Sequence, residues 1–539
     1  MSAAFDVIVV GAGHNGLTSA AFLAKAGLRV AVLEKNDYIG GAAVSRELHK
    51  DWIYSNCSYV CSLLRPEIYR ALDLARFGLQ ITPYGGSATF LENGDVLGSY
   101  WNSDRAHEER RRHSPRDADA YPEFAAAVQR QCLLIRDFLL RTPADPVSLR
   151  PRDLAEWWRI GRRIKDLGPK QLAATWRFLS MSVADYLDEF FESPVIKASL
   201  AGSGIIGTPA GPRSPGTAYV LLHHYMGDVD GNMGAWGFAR GGMGAVSAAL
   251  ADAFRAAGGT LKTSADVIAI RTRGRRVCGV ALANGEELDA TTVVSAIDLK
   301  RTFLGLTDTA ELPSGFLHRV RHFRTRGSSG KLNIALDGMP DFPALPRGHE
   351  LLAGDLHFVD SIERLERAYD DWKAGRWSAD PYLDLLIPTV TDPTMAPPGK
   401  HYMSVFVQYC PAQLASGDWT AADKDAFEKT VLDQIARFSP DFRDRILHVE
   451  TRTPREIEAE VGLTDGNIFQ GELALDQLLF NRPVPGYAQY RTPLSGLYLA
   501  GSTAHPGGGV MAAPGANAAR EILRDLRQPN TVPENFGDD

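Results

Sequence analysis

Residues 5–34, FDVIVVGAGHNGLTSAAFLAKAGLRVAVLE, decide the fold. Phe5 to Val10 is an apolar run broken only by Asp6, as expected of a parallel strand buried on both faces. It enters Gly11-Ala12-Gly13-His14-Asn15-Gly16. A helical pattern, LTSAAFLAKAG, then ends at Gly27, and a second strand, Leu28 to Leu33, delivers Glu34. Gly11 permits the tight turn, Gly13 lets backbone N–H groups approach a pyrophosphate, and Gly16 lets helix and strand pack closely. The helix N-terminus attracts the anion. Glu34 can accept hydrogen bonds from both ribose hydroxyls and would repel a 2′-phosphate, which disfavours NADP. The motif alone does not separate NAD from FAD.

Three further features converge on the same cofactor. The pair Gly40-Gly41 lies where a flavin enzyme's chain must pass the phosphates again. Residues 239–298 predict a helix over 244–257, strands at Val267–Thr272 and Val277–Leu282, an Asn284-Gly285 hairpin turn, and a returning buried strand at Thr292–Ile297. Near the C-terminus, Leu497–Ala500 is a short apolar strand, and Gly507-Gly508-Gly509 leads into a predicted helix from about Val510. That helix N-terminus, aimed at the flavin's N1–C2=O edge, would stabilise the reduced ring's negative charge. Gly242-Met243-Gly244 does not make a second dinucleotide site: no buried strand precedes it, Ser247 stands where the third glycine belongs, and no acid follows at the right distance.

Size and composition bound the rest. The chain has 539 residues, 45% of them hydrophobic and 23% charged, an ordinary globular balance with room for two domains. A net charge of −7 sets up no basic field for nucleic acid. Five irregularly spaced cysteines argue against a secreted disulfide scaffold. No signal peptide and no apolar run long enough to span a bilayer are found. The expected location is cytoplasmic, with peripheral attachment to a membrane left open.

The stretches VIVVGAGHNGL, YIGGAA, CSYVCSLLRPEIY, GGMGAVSAAL, GKLNIALDGMPDF, GNIFQGELALDQL and GLYLAGSTAHPGGGVMAAPGANAA together resemble the phytoene desaturase-like branch of the FAD-dependent amine oxidase superfamily. Within it they are most similar to the branch named after pyridine nucleotide–disulfide oxidoreductases. The resemblance implies an α/β fold: a discontinuous Rossmann-like FAD-binding domain of the glutathione reductase type with an inserted α+β substrate domain. Residues 1–69, 237–302 and 486–528 are assigned to the FAD-binding domain, 70–236 and 303–485 to the substrate domain, and 529–539 to a flexible tail. The resemblance also implies noncovalent FAD, hydride removal from a C–H bond by the flavin's N5, and contacts to FAD from Gly11, Gly13, Asn15, Glu34, Gly41, Val267, Gly501 and Val510. Ala12, His14, Gly16, Lys35, Gly40, Ala42, Ala296, Ser502, Gly509 and Met511, in the same segments, complete the candidate cofactor set. Carotene desaturases have a glycine–proline segment after the GG motif, whereas this chain has Ser55-Asn56-Cys57-Ser58-Tyr59, so a polyene is not the expected substrate.

The candidate catalytic residues are Lys331, His505, Cys57 and Ser58. Lys331 opens the apolar strand KLNIAL; in related amine oxidases a lysine on the equivalent strand holds a water near N5. It serves equally as a solubilising strand start. His505, in the flavin-facing loop, can hydrogen-bond the ring or substrate, or be held by backbone. Cys57 and Cys61 are expected to share one face of a helix as packing groups rather than act as a redox pair. His223-His224-Tyr225 with Asp228 lacks metal-ligand spacing and is expected to line the substrate domain; no metal site is expected. ERRRH (109–113) reads as a charged loop before a helix from about Asp119, and GIIGTPAGPRSPG (204–216) as a flexible loop near the channel. Trp157, Trp158 and Trp176, interleaved with Arg159, Arg162, Arg163 and Lys165, suit a membrane-surface helix, an oligomer contact or a helix packing its tryptophans inward. The function expected is a flavin-dependent dehydrogenase or desaturase for a mostly apolar small molecule, with oxygen or a quinone as electron acceptor. The alternatives are an amine oxidase and a non-catalytic binder of lipidated partners of the Rab escort type. Oligomeric state is left undetermined.

Overall fold

A computed structural model describes residues 5–533. Its first strand, Phe5–Val10, runs parallel to Val30–Leu33 on one side and Glu287–Ser295 on the other. Paired on both edges and buried from Val7 onward, this strand has no place for a polar side chain beyond Asp6. Thr260–Lys262 extends the sheet past Val30–Leu33, and Leu497–Leu499 extends it past Glu287–Ser295. The parallel layer is thus drawn from three distant pieces of chain, as in a discontinuous Rossmann-like FAD-binding domain.

The meander is built as its turn residues require: Val267–Arg273, Arg276–Leu282 and Glu287–Ser295 pair antiparallel, with Gly285 at φ 89° in the second turn. The strand expected at Thr292–Ile297 is not separate. It is the second half of one nine-residue strand, Glu287–Ser295, which alternates exposed and buried over its first half and is wholly buried over its second. The change marks where the strand leaves the meander and enters the parallel layer. The last helix starts at Ala513 rather than Val510, because Ala512 sits at φ 63° and interrupts the helical path. It packs on the first helix, His14–Lys25, so tightly that a Cβ on Gly515 would lie 2.1 Å from the Asn15 carbonyl oxygen.

The second layer is a seven-stranded sheet in the order Ile446–Arg452, Ser329–Leu336, His401–Gln408, Tyr382–Leu386, Asp355–His357, Gly86–Phe90 and Val96–Tyr100. One face buries Leu332, Ile334, Val405 and Leu385 against Phe427, Val431 and Ile435 of helix Ala421–Phe438. Because side chains alternate between faces, the residues between these point the other way. Arg452, Lys331, Phe406, Asp384, His357 and Thr89 are direct cross-strand partners, one row across six strands. That face looks toward the flavin domain.

Helical and loop segments differ from expectation in three further places, and in a fourth the structure bears on alternatives left open. ERRRH is the last turn of helix Ser103–His113, whose start is capped by Asn102 accepting from Arg105 N at 2.9 Å. The next helix, Pro115–Leu139, begins at a Ser114 cap, ahead of Asp119. Residues 204–208 are buried rather than free, and Gly207 N donates to Gln408 Oε1 at 3.1 Å. Helix Pro151–Ser180, broken at Gly168, presents Trp158 and Trp176 at 64% and 71% exposure, so only Trp157 is partly covered.

The tail is held as far as Pro533. Thr531 Oγ1 donates to Phe22 O at 2.8 Å, Arg520 donates to Pro533 O at 2.9 Å, and Val532 is buried. The rest of the expected flexible tail, 534–539, lies outside the described residues. Among the described residues no helix is long and apolar enough to cross a membrane.

Candidate active site

A cavity of about 470 Å³ runs between the parallel layer and the second sheet. At one end it is lined by Gly11, Gly13, His14, Asn15, Glu34 and Lys35, and along its length by Gly40, Gly41, Ala42, Val267, Ala296, Ser502, Gly509 and Val510. Gly11 adopts φ 96°, the turn that brings the strand into the helix. Helix His14–Lys25 has no side-chain cap, so its first N–H groups are open to an anion. A Cβ on Gly13 would meet no protein atom within 4 Å: this glycine keeps the cavity clear. Gly16, Ala12, Gly501 and Met511 do not line the cavity, and three of them act from behind it. A Cβ on Gly16 would sit 2.2 Å from Gly11 O and one on Gly501 2.8 Å from Ala296 O, while Ala12 N donates to Glu34 Oε2 at 2.9 Å.

Glu34 is 7% exposed, and Asn36 N donates to its other oxygen at 3.0 Å. Held by two backbone donors, the carboxylate keeps lone pairs for a ribose diol. Asn15 Nδ2 donates to Ser502 Oγ at 3.0 Å, tying the first segment to the last. Asn15 Oδ1 and His14 Nε2 are buried with no protein partner. Burial pushes His14 down to about 4, so its imidazole is neutral. An uncapped helix start, a glycine-cleared cradle, a backbone-held acid and orphaned polar atoms all fit FAD.

At the far end the wall is aromatic and aliphatic, with Tyr59, Leu63, Ile206, Trp236, Phe406 and Phe469. Lys331, the third residue of its strand and 2% exposed, enters here. Its Nζ donates to Cys57 O at 3.0 Å and lies 4.7 Å from the Tyr59 ring centroid. Burial pushes the ammonium down to about 7. Cys57 and Ser58 also border the cavity. The two cysteines do not share a helix: Cys61 pairs through its backbone with Gly237, and both thiols are free. Burial raises Cys57 to about 11 and Cys61 to about 12, so neither is a thiolate near neutral pH.

His505 is not among the lining residues. Its Nε2 is 2.8 Å from Phe138 O and burial pushes it down to about 4, so the backbone holds it and the flavin-facing role is not its own. His223 and His224 do line the cavity, and burial lowers both; His223 Nε2 has no partner.

Arg482 carries no motif signal, yet it explains one. It is fully buried, and its guanidinium donates to the carbonyls of Phe469, Gly471, Glu472, Gln477 and Ser502 at 2.8–3.2 Å. The stretch GNIFQGELALDQL is therefore a wrapping around one cation, which pins the loop bearing Phe469 to the strand end bearing Ser502. Burial pushes that guanidinium down to about 10.

The family model described as flavin containing amine oxidoreductase matches residues 16–523, and the chain belongs to that family. It is an FAD-dependent oxidoreductase. The chain is 38% identical to pyridine nucleotide-disulfide oxidoreductase domain-containing protein 2 of Rattus norvegicus, over 97% of this chain and 94% of that one. It is 26% identical to one polypeptide of the limonene dehydrogenase of Castellaniella defragrans, over 97% and 95%. In fold it is similar to cyclohexylamine oxidase from Brevibacterium oxydans, with a TM-score of 0.56 at 19% identity, covering 97% of this chain and 99% of that one.

Proposed function

We propose that the chain dehydrogenates a mostly apolar small molecule, which gives up hydride from a C–H bond. The observation that carries this reading is the far wall of the cavity, where aromatic and aliphatic side chains surround one buried amine, Lys331, and the buried imidazoles of His223 and His224. Such a wall recognises shape and apolar area and offers few polar anchors. The named activity of the limonene relative, whose substrate is a hydrocarbon, supports the same class. FAD, when bound, supplies the two-electron acceptor. The protein's share is positioning: Arg482 fixes the Phe469 loop, and the Lys331 row fixes the opposite floor. Oxygen or a quinone then takes the electrons.

The test is anaerobic bleaching of the flavin absorbance with alkenes, cyclic ketones, retinoids and amines. Bleaching by an apolar alkene or ring compound is expected. An amine substrate is the second reading, favoured by a lysine that is largely uncharged above neutral pH; bleaching by amines alone, with peroxide release in air, would select it. A colourless protein that takes up no FAD would overturn both and leave a binding protein.

A further inference from the structure

The row across the second sheet continues past the cavity wall. Phe406 borders the cavity, but its cross-strand neighbours Asp384 and His357 lie behind it and do not. Asp384 is 2% exposed, with no solvent to satisfy it. One side chain reaches it from the cavity. Tyr59, which lines the cavity and packs at 5.9 Å against Phe406, donates its hydroxyl to Asp384 Oδ2 at 2.6 Å. On the other side His357 Nε2 lies 3.3 Å from Asp384 Oδ1, and His357 Nδ1 is buried without a partner. The short Tyr59–Asp384 contact is a charge-assisted bond, stronger than a neutral one.

We propose that Tyr59 is a catalytic acid–base residue and that Asp384 and His357 are positioning residues, Asp384 taking up the proton released when the substrate is oxidised and His357 holding Asp384 in place. This rests on the dehydrogenase reading above. When the substrate loses hydride to the flavin, two electrons leave with it, and the neighbouring C–H, O–H or N–H bond must lose a proton. The Tyr59 oxygen accepts that proton as its own O–H proton passes to Asp384 Oδ2, so the phenol ends the step neutral and the carboxylate ends it protonated. Direct escape of the proton to water is not needed, which matters in a cavity walled by apolar groups.

The surrounding groups set the balance of that transfer. Burial opposes the charge on His357, but the nearby carboxylates of Asp384 and Asp355 raise it above its ordinary value. Burial and the neighbouring Asp384 charge push Asp355 up, and Tyr84 donates its hydroxyl to Asp355 at 2.8 Å. Burial and the Asp384 charge hold Tyr59 well above the usual phenol range, so it serves as a neutral carrier rather than a phenolate. Tyr382 stacks on His357 at 5.6 Å, and Lys331 faces the Tyr59 ring from the cavity side. His224, which also lines the cavity, feels the Asp384 charge as well, although burial lowers it.

The test uses the FAD-loaded enzyme and a compound that bleaches the wild-type flavin. Tyr59→Phe removes only the hydroxyl and is expected to slow anaerobic bleaching about 100-fold or more, with FAD content and the concentration giving half-maximal bleaching rate unchanged. Asp384→Asn should slow it similarly and flatten the pH profile of the bleaching rate, while Asp384→Glu keeps part of the rate. His357→Gln should shift that profile. If Asp384→Asn does not fold, Tyr59→Phe and His357→Gln carry the test. A Tyr59→Phe rate within threefold of wild type across the pH range overturns the relay and leaves the dehydrogenase reading standing. A wild-type flavin that no compound bleaches overturns the reading itself, and the relay with it.

Discussion

At the residue scale, Glu34 and Lys331 show how burial turns ordinary side chains into specific ones. Glu34 is fixed by Ala12 N and Asn36 N, so its charge faces the cavity in one orientation. Glu34→Gln keeps the size but puts an amide against those donors and weakens the acceptor offered to the cofactor. Hydrogen bonds to charged groups contribute about 1.5–3 kcal/mol, so FAD affinity should fall roughly 10- to 100-fold, measured by titrating apoprotein with FAD. Lys331 makes a prediction about pH. Its folded-state value is pushed from the usual lysine range down to about 7, so the unfolded chain binds the extra proton between there and the ordinary lysine value. Stability from this group therefore rises with pH across that window, and the penalty is complete below about pH 7. Lys331→Met removes the penalty. Its thermal midpoint should exceed that of the wild type at pH 7, and the gap should narrow towards pH 10.

At the element scale, the glycines of the two flavin-side helices set a distance. Gly515 lets helix Ala513–Asp525 rest on the Asn15 carbonyl, and Asn15 in turn holds Ser502. Gly515→Ala should force the helices apart at a cost of about 1–3 kcal/mol, seen as a lower melting midpoint and faster release of flavin fluorescence on heating. The elements legible in the chain are those whose signal is local. Phe5–Val10 reads as a doubly covered strand because every residue from Val7 on is apolar, and Asn284-Gly285 reads as a turn because Gly285 must adopt positive φ. The start of the last helix is not legible, since an alanine gives no sign in the sequence that Ala512 adopts φ 63°. ERRRH reads as a loop although it is helical, because its helix depends on a cap seven residues upstream of Glu109, at Asn102, and on the Arg112–Glu109 pair. The row from Lys331 to His357 is beyond reach: pairing between strands far apart in sequence decides which residues stand opposite one another.

At the scale of the whole molecule, Arg482 joins the two sides of the cavity through carbonyl oxygens, which leave no trace in side-chain identity. Arg482→Met should strand those carbonyls without a donor at a cost of at least about 3 kcal/mol. Limited proteolysis should then cut within 468–482, and FAD should be lost faster on dilution; Arg482→Lys should restore part of the protection. The order of the parallel layer has a consequence for biosynthesis. Leu497–Leu499 completes the layer beside Glu287–Ser295, whose other edge holds Phe5–Val10. At about 5–20 residues per second, a ribosome needs on the order of ten seconds or more between those strands. Throughout that interval the nascent chain carries an unpaired apolar edge, a template for intermolecular association. Slower translation or scarce chaperones should therefore reduce the soluble yield of this protein before they affect the stability of the finished fold.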